Sequence, residues 1–87
     1  MHHKHLVCRV CGYLNENPPW GEDGKSPLFE LCPCCGVEFG YEDATPQAVR
    51  AYRTKWLTNG AQWLIPERKP TDWDLEAQMA KIPEEYR

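Results

Sequence analysis

Cys8-Arg9-Val10-Cys11-Gly12 and Cys32-Pro33-Cys34-Cys35-Gly36 each place two thiols with two residues between them, and a glycine directly follows each second thiol. A tight turn carrying two thiolates lets successive backbone N–H groups point at sulfur and spread its negative charge. The residue after the second sulfur often needs a left-handed backbone, which glycine adopts without a steric penalty. Two such knuckles facing each other supply a tetrahedral four-sulfur site, the arrangement that structural zinc prefers and that iron can also occupy. One C-x-x-C is a weak signal. Two, with matching glycines and about twenty residues between them, are a strong one. Cys8, Cys11, Cys32 and Cys35 are therefore the expected metal ligands.

Cys34 is the surplus sulfur, lying in the second knuckle where Val10 lies in the first. Three roles compete for it: inert packing as a small apolar side chain, a reactive thiol with a pKa lowered by a nearby metal, or an alternative ligand that swaps with a neighbour. Cys32-Pro33-Cys34-Cys35 also has the C-P-x-C form of glutaredoxins. That chemistry needs its first cysteine at a helix N-terminus, and here Gly36 leads into a strand-like alternation instead. The chain has no glycine-rich phosphate loop, no nucleophile-elbow serine and no H-E-x-x-H pair. A four-sulfur site is coordinatively closed, with no position for an activated water, so a non-enzyme is expected. His2, His3 and His5 are further nitrogen donors, and the plainer reading is a solvated terminus.

Eighty-seven residues with eight prolines, six glycines and 41% hydrophobic composition can bury only a small core, near the size at which a metal or disulfides are needed. Met1-His2-His3-Lys4-His5 leads into just Leu6 and Val7 before the first cysteine, which is no secretory signal. A reducing cytoplasm is expected, where cysteine clusters bind metal, and no run of residues approaches membrane-spanning length. Net charge is −3, acidic at both ends, with basic residues gathered over 46–70. A general nucleic-acid binder should carry a clear basic excess, so a protein partner is the better expectation.

Three parts must position the sulfurs: a four-cysteine ribbon over 6–41, a helix over 45–59 and a tail over 60–87 with a second short helix, all in one domain. In the ribbon, Leu6-Val7 and Tyr13-Leu14 flank the first knuckle as a hairpin. Asn15 through Pro27 is a loop by composition, with Trp20 expected to pack within the chain. Leu28-Phe29-Glu30-Leu31 reads as a strand into the second knuckle, and Val37, Phe39 and Tyr41 alternate on the way out. Glu38, Glu42 and Asp43 read as a solvated strand face. Thr45 can cap the first helix, Pro46 suits its first position and Gly60 is a natural stop. Val49, Tyr52 and Trp56 fall on one face, which should dock on the ribbon. Arg53 borders that stripe and can lay its stem along apolar surface. In the tail, Trp63 and Trp73 complete the core or meet a partner. Thr71 with Asp74 reads as a capping box opening the second helix, and Pro83 ends it.

At Cys8-x-x-Cys11-Gly12-Tyr13 and Cys32-Pro33-x-Cys35-Gly36 the chain resembles rubredoxins over roughly its first 41 residues. That resemblance implies a small α+β fold: a metal-stapled rubredoxin-like zinc ribbon of short antiparallel strands, followed here by two helices. It also implies an alternative function, one-electron transfer with iron in place of zinc. A resemblance spanning most of the chain is to small bacterial proteins of unassigned role marked by C-P-C-C-G, here Cys32 to Gly36, continuing through Val37-Glu38-Phe39-Gly40-Tyr41-Glu42-Asp43. It implies a cytoplasmic, cysteine-rich, metal-binding protein.

Overall fold

The computed structural model describes residues 4–87. Helix α1, Pro46–Thr58, forms where its signals place it. The Thr45 hydroxyl accepts a hydrogen bond from the Ala48 N–H at 3.1 Å, satisfying one of the donors a helix start leaves free. Pro46 sits in the first turn, and Gly60 follows the C-cap at φ +93°. Its inner face carries Val49, Arg53 and Trp56, all buried. Helix α2, Leu75–Met79, is a short piece. It is capped by the Asp74 carboxylate, which accepts from the N–H groups of Glu76 and Ala77. Asp74 is thus the cap itself, not the third residue of a box opened at Thr71, and the helix begins later than the sequence suggests. Single 3-10 turns lie at Lys4–Leu6, Pro66–Arg68 and Glu84–Tyr86.

The expected α+β architecture is overturned. No β-strand forms among the described residues, so a ribbon of antiparallel strands is not the fold. Each knuckle's arms meet at one isolated bridge, Val7 with Leu14 and Leu31 with Glu38. The reason is local. Lys4–Leu6 coils into a 3-10 turn instead of extending. Phe29 takes a left-handed φ of +59° inside the supposed strand, and Gly40 at φ +96° breaks the alternation after Phe39. Val37 and Phe39 are accordingly buried while Tyr41 is 74% exposed.

The core is built from sulfur as much as from carbon. All five cysteines pack with Val10, Val37, Phe39, Val49, Trp56 and Trp63. Tyr13, Trp63 and Trp73 stack edge to face, each ring centroid 5.5 Å from the next, a favoured aromatic geometry. No helix among the described residues is long and apolar enough to cross a membrane.

Candidate metal centre

The two knuckles are built alike, position for position. In the first, the Cys8 N–H donates to the Tyr13 carbonyl at 2.9 Å and the Gly12 N–H to the Cys8 carbonyl at 3.0 Å. In the second, Cys32 N–H donates to Val37 and Gly36 N–H to Cys32, both at 2.9 Å. Gly12 and Gly36 lie at φ +86° and +80°, the left-handed conformation that closes such a turn most cheaply with glycine.

This repetition brings Cys8, Cys11, Cys32 and Cys35 together, their sulfurs all within 4.8 Å of one another. Cys8 Sγ lies 3.7 Å from Cys35 Sγ, and Cys11 Sγ 3.7 Å from Cys32 Sγ. All five cysteines are unbridged. A disulfide needs sulfurs about 2.05 Å apart, whereas sulfurs about 2.3 Å from a tetrahedral zinc stand roughly 3.8 Å apart. The spacing and the donor set therefore fit a metal ion: four cysteines cluster as a site that could bind one. Burial pushes the Cys8, Cys11 and Cys35 thiols up. Burial acts on Cys32 as well, but hydrogen bonds from Cys11, Cys35 and Cys8 hold it well below the usual thiol range. A divalent ion entering this cluster must displace protons from it.

Around the sulfurs, three successive carbonyls of each knuckle are met by the rest of the chain. On the first, Arg53 Nε donates to the Val10 carbonyl at 2.6 Å and Arg53 Nη2 to that of Arg9 at 2.9 Å. Gln78 Nε2 donates to the Cys11 carbonyl at 3.1 Å. On the second, the equivalent carbonyls of Cys34, Pro33 and Cys35 accept from Leu64 N–H, Ile65 N–H and the Tyr52 hydroxyl at 3.0, 2.9 and 3.2 Å. Buried carbonyls need partners, and here α1, α2 and the 64–65 segment supply them. Burial pushes the Tyr52 hydroxyl up to about 12, with the nearby sulfurs and Glu42 adding to it.

Cys34 is not one of the four clustered sulfurs, although it lies near enough to Cys11 to interact with it. It is fully buried, and its sulfur accepts a hydrogen bond from Gln78 Nε2 at 3.4 Å. His5 is exposed in the first 3-10 turn and is not part of the cluster. His2 and His3 lie outside the described residues.

The polar roles of two residues that hold this shell escaped sequence reasoning, which placed only the stem of Arg53 along apolar surface. Arg53 is 8% exposed and also donates to the Tyr86 carbonyl. Its signal was its place on the apolar stripe, four residues after Val49 and three before Trp56. Asp43 was read as solvated, yet it has no exposure. Its carboxylate accepts from Trp20 Nε1 at 2.9 Å and the Gly40 N–H at 2.8 Å. The guanidinium of Arg9 covers the Trp20 ring at 4.1 Å and the Tyr86 ring at 4.5 Å. Together these contacts tie the long loop and the C-terminal turn to the first knuckle.

Two relatives from Bacillus subtilis (strain 168) are similar to the chain. The uncharacterized protein YozI is 32% identical over 85 residues, covering 79% of this chain and 70% of its own length. The uncharacterized protein YoaQ is 38% identical over 82 residues, covering 75% and 68%. No family model matches the chain, and no solved structure matches it significantly.

Proposed function

We propose that this chain, which belongs to the family of the uncharacterized Bacillus subtilis proteins YozI and YoaQ, is a non-enzymatic zinc-binding module for protein interaction, with Cys8, Cys11, Cys32 and Cys35 as ligands. The observation that carries the reading is the 3.7 Å separation of sulfurs contributed by different knuckles. Zinc held there supplies a crosslink between distant parts of the chain, and four thiolates leave no open position for water. The chain's own residues set the geometry: left-handed glycines turn the knuckles, and Arg53, Gln78 and Tyr52 fix their backbones. Five unbridged cysteines suit a reducing cytoplasm.

A protein partner is favoured over nucleic acid by the net charge of −3 and by apolar side chains held at the surface. Phe29 is 62% exposed, Leu31 53% and Tyr41 74%. The test is metal analysis of the purified chain beside its cysteine variants. One zinc per chain is expected, lost on Cys11→Ser and Cys35→Ser and kept on Cys34→Ser. Red protein carrying iron, or equal metal loss from all three variants, overturns the reading.

A further inference from the structure

We propose that Cys35 is the exchange point of the metal centre, the sulfur that releases and captures the ion through a cleft beside α1, with Glu42 receiving the hydrated divalent cation. This rests on the metal reading above. Cys8, Cys11 and Cys32 have no exposure, whereas Cys35 is 6% exposed. Cys35 lines a cleft of about 320 Å³ with Glu42, Tyr52, Lys55, Asn59 and Gln62. The larger cleft, about 400 Å³ around Arg9, Trp20 and Tyr86, contains none of the four cysteines. Of the four ligand residues, Cys35 is thus the one that borders a cleft.

The cleft also has the chemistry for the task. The Glu42 carboxylate is steadied by its Oε1, which accepts from the Glu38 N–H at 3.1 Å. Its other oxygen is a hard donor of the kind hydrated divalent cations accept. Asn59 and Gln62 also line the cleft. Tyr52 holds the Cys35 carbonyl at 3.2 Å, so the backbone keeps its place while the side chain lets go. In the step itself Cys35 Sγ would part from the metal as a thiolate, keeping the bonding electron pair. An incoming oxygen donor fills the vacated position, and nothing is oxidised. Loading runs the same sequence backwards.

The experiment uses the full chain after zinc loading, with metal content measured first. Substoichiometric N-ethylmaleimide is added, labelled cysteines are mapped by peptide mass spectrometry, and released zinc is followed with pyridylazoresorcinol. Cys35 should be labelled first, with zinc released in step. Asn59→Phe, which narrows the cleft, should slow both. Glu42→Gln keeps the Oε1 acceptor and removes the charge, and it should slow uptake of aqueous zinc severalfold, short of what a cleft of one sign delivers because Lys55 shares this one. First labelling at Cys8, Cys11, Cys32 or Cys34, or wild-type rates in both variants, overturns the proposal. A chain that holds no zinc at the outset overturns the metal reading and the exchange with it, and the initial metal count separates that failure from the others.

Discussion

At the scale of single residues, the guanidinium of Arg53 gives two hydrogen bonds to the first knuckle and one to Tyr86. A lysine keeps the charge but loses the planar fork, and its three N–H groups radiate from one nitrogen, whereas Arg53 reaches these carbonyls from Nε and Nη2. Leaving buried acceptors unmet costs about 1–3 kcal/mol each. Arg53→Lys should therefore lower stability by roughly 3 kcal/mol in urea unfolding of the metal-loaded chain; a midpoint equal to wild type would show that the fork is dispensable. Asp43 poses the complementary case, an acceptor facing two N–H donors from inside the protein. Asp43→Asn turns one acceptor into a donor, so a loss of about 2 kcal/mol should accompany a red-shifted fluorescence contribution from Trp20. A variant unchanged in both would place that carboxylate in water.

Among the elements, the closeness of α2 to the first knuckle can be tested through glycine. A Cβ at Gly12 would collide with the Gln78 carbonyl, while a Cβ at Gly24, also left-handed, would meet nothing within 4 Å. Gly24→Ala should cost only the left-handed penalty of about 1–2 kcal/mol. Gly12→Ala should cost distinctly more and free Trp73, whose indole N–H donates to Gln78 Oε1 at 2.8 Å. Equal midpoints for the two variants in urea unfolding would mean that α2 does not press on the knuckle. Helix α1 and the two knuckles were legible because their signals are local: Thr45, Pro46 and Gly60 bound the helix, and cysteine-glycine spacing dictates the turns. The missing strands were not legible, since Leu28 to Leu31 has strand composition and nothing in its residue types signals the positive φ of Phe29. Arg53 and Asp43 were hidden for a related reason. A charged side chain reads as solvated until the carbonyls or N–H groups that receive it are brought from far along the chain.

For the molecule as a whole, the Cα radius of gyration of 11.8 Å matches the roughly 12 Å expected of a folded chain this long. Yet five of the eleven residues in the buried cluster are cysteines, and apolar burial is correspondingly thin. A structural zinc contributes on the order of 10–16 kcal/mol in small peptides, comparable to or above the roughly 5–15 kcal/mol by which whole domains are stable. Folding and metal binding should then be one equilibrium. Native mass spectrometry of the purified chain, repeated after a strong chelator and paired with near-ultraviolet circular dichroism of its aromatic cluster, tests this most directly. The account expects a mass increment of one zinc, and loss of both the increment and the aromatic signal on chelation, each restored by adding zinc back. An unchanged aromatic signal after the metal is stripped, or a mass showing disulfides and no ion, would contradict it.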